Sequence, residues 1–165
     1  MVSVAETVTI RTKEGDEILI DAADYHLVGG YKWRTFRGFN GNKQPYARAL
    51  IGPDWILMHR FLLNAPKGSE VDHWNGNGLD NRRKNLRFAT ATQNRRNQRK
   101  TRGSSQFKGV TSYRNGRWRA SIKANGKHLH LGYFKTEKSA ALAYNEAAQQ
   151  HFGDFARINS FGGEA

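Results

Sequence analysis

The stretch "VDHWNGNGLDNRRKNLRFATATQNRRNQ", from Val71 to Gln98, sets an acid and a histidine side by side and follows them with asparagines and arginines. Asp72 and His73 close what should be a short strand after "KGSEV". Thr90 and Gln93 have the spacing of a capping box, which predicts a helix immediately after Thr90. The stretch therefore predicts a strand, a loop and a helix in succession.

This arrangement would bring oxygen ligands together. Asn85 follows Asp72 by thirteen residues and Asn94 follows it by twenty-two. Asn94 would lie near the first turn of the helix, turned toward the strand that carries Asp72. One carboxylate and one amide oxygen, without sulfur, favour a Mg²⁺-like ion that keeps open positions for water and phosphate. Beside it, the imidazole of His73 could take a proton from water at neutral pH.

Positive charge is concentrated from the start of this motif onward. The formal net charge is +13 over 165 residues. Residues 1–58 carry seven basic and seven acidic side chains, whereas residues 59–105 carry eleven and three, and residues 106–165 carry nine and four. A polyanion with many phosphates is the natural partner. An ordinary solvated basic surface would give the same composition.

Composition restricts the class of protein. With no cysteine in the chain, disulfide frameworks and thiolate zinc sites are excluded. The start "MVSVAETVTIRTKEG" lacks the features of a signal peptide, and no apolar run has the length of a membrane span. We therefore expect a cytoplasmic protein with no membrane partner.

The first third of the chain predicts a small α/β unit. "ETVTIRT" and "EILID" predict a hairpin, and "AADYHLV" predicts a short helix that ends at Gly29-Gly30. "YKWRTFRG" and "PYARALIG" predict two more strands around the turn "FNGNK". "PDWILMHRFLLN" predicts a helix with Pro53 in its first turn.

A second domain follows a polar boundary. The stretch "RKTRGSSQ" has no apolar residue, so we place a linker at 101–105, between domains at 1–100 and 106–160. Beyond it, "FKGVTSY", "RWRASIKA" and "KHLHLGYF" predict a three-stranded antiparallel sheet. Asn115-Gly116 and Asn125-Gly126 supply the positive φ angles of tight hairpin turns.

A helix should pack on this sheet. Thr136 can cap it and Gly153 can end it. One stripe of this helix would comprise Ala140, Tyr144, Ala147 and His151. The expected fold class is therefore α+β: an α/β unit linked to a three-stranded antiparallel sheet packed on one helix.

Residues 58–97 resemble the HNH endonucleases of phages and mobile introns, in the branch where Asn replaces the last His. The words "MHR", "VDH", "DNR", "NLR", "AT" and "QN" carry the resemblance. It implies a ββα-metal motif in the N-terminal unit and hydrolysis of phosphodiester bonds in double-stranded DNA, as in a homing endonuclease of a bacterial or phage-infected cell. The cofactor it implies is a divalent metal, Mg²⁺ first and Mn²⁺ as an alternative.

The resemblance also implies roles for individual residues. Asp72 and Asn94 match the metal ligands, His73 matches the general base, and Asn85 matches the residue that orients this base. For His59, in "MHR", an active-site role and simple packing both remain open. The arginines of the motif are expected to contact phosphates, although not all can point the same way: Arg82, Arg83, Arg87, Arg95 and Arg96.

The C-terminal segment, residues 107–159, resembles the APETALA/ethylene-response-factor DNA-binding domain of plants. "KGV", "GRWRASI", "LGYF" and "FARIN" carry the resemblance. It implies that the sheet reads the major groove of DNA. Lys108, Thr111 and His130 depart from residues of the plant domains, so the plant target sequence is not implied. The candidate DNA contacts are Arg114, Arg117, Trp118, Arg119, Lys123, His128 and His130.

Two other functions remain open from the sequence. One is a sequence-specific DNA-binding regulator with an inactive nuclease half, and the other is a basic RNA-binding or structural protein. The target sequence, the number of strands cut, and the choice between monomer and homodimer also stay open. The neutral charge of residues 1–57 favours a scaffold role over DNA contacts.

Overall fold

The chain forms two units, residues 1–94 and 95–165, and each unit combines antiparallel strands with helices. The computed structural model describes residues 6–38, 44–97 and 103–161. The expected α+β class is confirmed. The predicted turn "FNGNK", at 39–43, and the first two residues of the predicted linker lie outside the described residues.

The first unit begins with the predicted hairpin. Strands β1 (Thr7–Arg11) and β2 (Glu17–Asp21) pair antiparallel. A 3₁₀ turn, Ala22–Asp24, leads into α1 (Tyr25–Val28), which ends at Gly29 as predicted. The alternation of Ile18 and Ile20 on β2 buries both side chains completely, so the hairpin is anchored by one face.

The next sheet differs from the prediction. Strand β3 (Arg34–Arg37) pairs with β4 (Pro45–Ile51), which pairs with β5 (Asp54–Leu57). The helix predicted over "PDWILMHRFLLN" is wrong in its first half, because Gly52, at φ 61°, turns the chain back into a hairpin. Only its second half is helical, as α2 (Met58–Leu62). The Gly-Pro pair was a turn signal rather than a helix start.

The ββα segment closes the first unit. Strand β6 (Glu70–His73) pairs antiparallel with β7 (Leu86–Ala89), and α3 (Ala91–Asn97) follows. The predicted capping box is confirmed: Thr90 N–H donates to Gln93 Oε1 at 2.8 Å, and Gln93 N–H donates to Thr90 Oγ1 at 3.2 Å.

One core joins the motif to the N-terminal hairpin. It includes Ile18 and Ile20 of β2, Met58 of α2, Val71 of β6 and Leu86 of β7. The first strands of the chain are therefore part of the platform that holds the motif, which supports the scaffold role expected for them.

The second unit contains the predicted sheet. Strands β8 (Val110–Ser112), β9 (Trp118–Ala124) and β10 (Lys127–Phe134) pair antiparallel in the order β10-β9-β8. Asn125 and Gly126 have φ angles of 50° and 77°, as a tight two-residue turn requires.

Helix α4 (Glu137–Phe152) packs on one face of this sheet. Thr136 Oγ1 caps it by accepting from Ser139 N–H at 3.1 Å, and Gly153 ends it, both as predicted. The predicted stripe is wrong at His151, which is exposed, while Phe152 is buried in its place. Among the described residues, no helix is long and apolar enough to cross a membrane.

Candidate active site

Asp72 is held by an arginine on the neighbouring strand. The β6–β7 register places Asp72 directly opposite Arg87. Arg87 donates to Asp72 Oδ2 from Nε at 2.9 Å and from Nη2 at 2.7 Å. The Asp72 side chain is only 6% exposed. Two donors on a nearly buried carboxylate fix its orientation.

His73 points to the opposite side of the strand and joins two other rings. Its ring lies 4.8 Å from that of His59, at an interplanar angle of 84°. The Tyr46 ring is 5.8 Å from His73 and 5.7 Å from His59. Both histidines are buried. We call Tyr46, His59 and His73 the ring cluster; it brings His59, whose role the sequence left open, against the candidate base.

Burial keeps both imidazoles in the neutral form. Desolvation lowers the pKa of His73, an effect that the Asn81 contact and the charges of Asp72 and Asp80 oppose. For His59, burial and then the nearby His73 and Arg60 lower the pKa to about 3. A neutral imidazole can accept a proton, so His73 has the protonation state that a general base needs.

Asn85 braces the loop between β6 and β7. Its side-chain oxygen accepts from Asn75 N–H at 2.9 Å, and its amide donates to the carbonyl oxygen of Asp80 at 2.7 Å. Asn75 in turn donates from its side chain to Asp80 Oδ2 at 2.8 Å. These contacts hold the loop that follows His73, and they are where the structure places the residue predicted to orient His73.

Asn81, which the sequence analysis missed, is the asparagine that contacts His73. Its Oδ1 lies 3.4 Å from His73 Nε2, and its side chain is completely buried. Its backbone N–H donates to the carbonyl oxygen of Leu19 at 2.7 Å, while Leu19 N–H donates to that of Leu79 at 2.9 Å. Strand β2 therefore fixes the segment that carries Asn81. The only sequence signal was its place in "DNR".

Two buried nitrogens of this region have no hydrogen-bond partner among the described residues. They are His59 Nδ1 and Asn81 Nδ2. An unpartnered buried polar atom is costly, and such atoms concentrate at functional sites.

Asn94 meets the strand of Asp72 through Glu70. Its Nδ2 donates to Glu70 Oε2 at 2.9 Å. Because side chains two residues apart on a strand share a face, Glu70 and Asp72 project to the same side of β6. Asn94 is thus attached to the face that carries Asp72, in agreement with the predicted direction.

Three of the predicted phosphate-binding arginines are paired with carboxylates inside the first unit. Arg82 contacts Asp80 at 2.7 Å, Arg83 contacts Asp24 at 2.9 Å, and Arg87 contacts Asp72. These pairs hold the loop and the hairpin in place. Contact of these arginines with phosphate stays a prediction.

Arg95 and Arg96 fall beyond the division between the units. Arg95 is exposed. The Arg96 guanidinium lies 4.5 Å above the Phe152 ring in the second unit.

The open face of the second unit's sheet carries basic and aromatic side chains. Most of the predicted DNA contacts are exposed, namely Arg114, Arg117, Arg119, Lys123, His128 and His130. Trp118 is the exception, since it packs on the apolar cluster beneath the sheet. Sequence analysis missed two tyrosines here: Tyr133 stacks 4.3 Å from Tyr113 and 4.6 Å from His130.

Comparisons with known proteins bear on the first unit. A family model described as HNH endonuclease matches residues 64–96. The uncharacterized HNH endonuclease L560 of Acanthamoeba polyphaga mimivirus is 32% identical over 152 residues, which are 88% of this chain and 76% of that protein. The chain belongs to the HNH endonuclease family. It is accordingly a DNA-hydrolysing enzyme.

Plant proteins match the second unit of this HNH endonuclease. The AP2-like ethylene-responsive transcription factor TOE2 of Arabidopsis thaliana is 49% identical over 57 residues. Dehydration-responsive element-binding protein 2C of the same plant is 42% identical over 59 residues. Each match covers 34% of this chain, but only 12% and 17% of the plant proteins. The likeness thus concerns one domain and implies DNA as the partner.

HNH endonucleases generally use a divalent metal, and the donor atoms on the β6 face fit one. Asp72 supplies a carboxylate and Asn94 an amide, and its nitrogen is taken by Glu70, so that its oxygen is the atom left for other contacts. These are the hard oxygen ligands that Mg²⁺ prefers. No cluster of three or more His, Asp or Glu side chains able to hold an ion occurs in the described parts of the chain.

Proposed function

We propose that this HNH endonuclease cleaves double-stranded DNA with His73 as general base and a divalent ion, Mg²⁺ first and Mn²⁺ second, held by Asp72 and Asn94. The observation that carries the proposal is the β6 strand end, where adjacent residues project a fixed carboxylate to one side and a buried, neutral imidazole to the other. Hydrolysis needs both an activated water and a counter-charge for phosphate.

In the proposed reaction, His73 removes a proton from a water whose oxygen attacks phosphorus. The bond from phosphorus to the 3′ oxygen breaks, and that oxygen takes a proton from solvent, leaving 3′-hydroxyl and 5′-phosphate ends. The bound ion would stabilise the negative charge that develops on the phosphate and the leaving oxygen.

Two asparagines support His73 in this proposal. Asn81 Oδ1 lies near the imidazole and restricts its rotation. Asn85 acts on it through the loop, because its two hydrogen bonds fix the backbone that follows His73. His59 contributes a neutral edge against the imidazole, which excludes water from one side of the ring.

The second unit is proposed to hold or choose the DNA site through the exposed face of its sheet. Arg119 and Lys123 on β9 are exposed and have no carboxylate partner among the described residues, so their charge is available to phosphates or base edges. The mimivirus relative supports action on DNA of a mobile element or virus in the cytoplasm of a host cell.

Supercoiled plasmid incubated with the purified protein and Mg²⁺ tests the nuclease. We expect nicked or linear DNA that disappears with EDTA, and a rate loss of about 10²–10⁴ for His73→Ala. The matched control is His26→Ala, which removes an exposed imidazole in α1. Equal rates for wild type and His73→Ala would refute the assignment of the base.

The plant transcription factors favour a second function, a DNA-binding regulator with an inactive first unit. That function predicts a gel shift without cleavage on a library that contains the target site. Metal-dependent cleavage of any library member excludes it. The plasmid product also reports whether one strand or both are cut.

A further inference from the structure

Glu70 is a carboxylate without a cationic partner in the part of the chain that the structure describes. Its hydrogen bond is to Asn94 Nδ2, at 2.9 Å. Asp72, two residues further along the strand, has Arg87 as its partner. In a chain with a net charge of +13, a half-buried carboxylate that accepts from an amide rather than from a cation suggests a specific role.

The hydrogen bond decides which atom Asn94 presents. A primary amide can rotate by 180° and exchange its oxygen with its nitrogen at small cost. Glu70 accepts hydrogen bonds only when ionised, so it selects the rotamer with Nδ2 toward itself and Oδ1 directed away. In the other rotamer, the amide would present N–H groups, which repel a cation.

From this geometry we infer that Glu70 is a positioning residue that orients the amide of Asn94 so that its oxygen can bind the divalent ion. The inference rests on the proposed function, since it assumes that Asn94 is a ligand. Glu70 touches neither the substrate nor the ion in this scheme. It corresponds to the outer partners that orient metal ligands elsewhere, whose loss typically weakens metal affinity about 10–100-fold.

Three variants separate orientation from charge. Glu70→Gln removes the charge and keeps an oxygen that can accept from Asn94. Glu70→Met has similar size and no acceptor. Glu17→Gln removes a carboxylate from the exposed face of β2 and controls for net charge alone.

The first measurement needs no metal. In ¹H–¹⁵N spectra of the full chain, the side-chain amide protons of Asn94 should be shifted from random-coil positions and protected from exchange in wild type and Glu70→Gln. In Glu70→Met they should collapse to free-amide values. Backbone resonances of β6 and β7 report whether each variant is folded. If the Asn94 amide is unchanged in folded Glu70→Met, the inference is overturned.

The second measurement is Mn²⁺ binding to the DNA-free protein, followed by electron paramagnetic resonance at 0.15 M salt. We expect Glu17→Gln to match wild type and Glu70→Gln to lose a few-fold by electrostatics, as salt screens a charge about one Debye length away. Glu70→Met should bind about tenfold more weakly than Glu70→Gln. Equal losses in the two Glu70 variants would overturn the inference, because Glu70 would then act as a ligand or through its charge alone.

Asn94→Ala separates this inference from the proposed function. If Asn94→Ala binds Mn²⁺ as well as wild type, the metal assignment itself fails. If Asn94→Ala weakens binding while the two Glu70 variants are alike, only the role of Glu70 fails.

Discussion

Replacement of Arg83 tests whether this residue of the motif serves the fold or the DNA. Its Nε lies 3.0 and 2.9 Å from the two carboxylate oxygens of Asp24, and its Nη2 lies 2.9 Å from Oδ1. Its backbone N–H donates to Asp21 at 2.8 Å. These bonds connect the loop of the motif to the chain some sixty residues earlier. The two partners differ in burial: the Arg83 side chain is 50% exposed and that of Asp24 only 6%.

That difference makes the two single substitutions unequal. Arg83→Gln leaves a buried charge on Asp24 without a cation, which costs about 3–5 kcal/mol in a dry interior. We expect about 3 kcal/mol here, since half-exposed Arg83 leaves a route for water. Asp24→Asn leaves a guanidinium that water can reach, and should cost about 1 kcal/mol. The double variant should cost less than the sum of the two.

Unfolding of the first unit can be followed separately. Met58 is completely buried in its core, and Met1 is the only other methionine. The ¹³C-methyl resonance of Met58 in a urea titration therefore reports this unit alone. The reasoning would be refuted if Arg83→Gln changed the free energy of unfolding by less than 1 kcal/mol and instead lowered the slope of DNA affinity against log salt concentration by about one, as loss of a phosphate contact does.

Three further outcomes follow from burial and packing. Burial lowers the pKa of His73 from 6.5, so single-turnover cleavage should hold its rate down to pH 6.5 and fall only below it; a fall centred above 6.5 would contradict this. The native pKa of His59 is about 3 against 6.5 for the free side chain, so the first unit should lose stability as the pH falls from 6.5 toward 3, by at most about 1.4 kcal/mol per pH unit; in urea titrations at pH 5 and 7, His59→Phe should reduce this slope. Gly109→Ala, at φ 77°, would place Cβ 1.9 Å from the Tyr144 ring and should destabilise the second unit by about 3 kcal/mol in thermal unfolding, whereas Gly116→Ala, at φ 68° in open space, should cost only about 1 kcal/mol.

Features set by neighbouring residues could be predicted from the sequence. The turn at Asn125-Gly126 depends on two positive φ angles that these residues tolerate, and the cap at Thr90 depends on Gln93 three residues on. Such signals need no knowledge of the rest of the fold.

Features set by distant contacts could not be predicted. The carbonyl oxygen of Leu19 fixes Asn81, sixty-two residues later, and nothing local marks Asn81 as the residue beside His73. The strand at β5 was misread for a related reason. Pro53 suits both a helix start and a hairpin turn, and only pairing with β4 decides between them.

Arginine pairing changes how the charge of the chain bears on DNA binding. By composition, residues 59–105 are the most basic segment, and they suggested a phosphate-binding surface. The guanidinium groups of Arg82, Arg83 and Arg87 are bonded to carboxylates of the first unit, so they stabilise the loop and hairpin. In the second unit, Arg119 and Lys123 have no such partner among the described residues. Since counterion release depends on cations that phosphate can reach, the open sheet face is the stronger candidate for holding the DNA, and the ββα motif for cutting it.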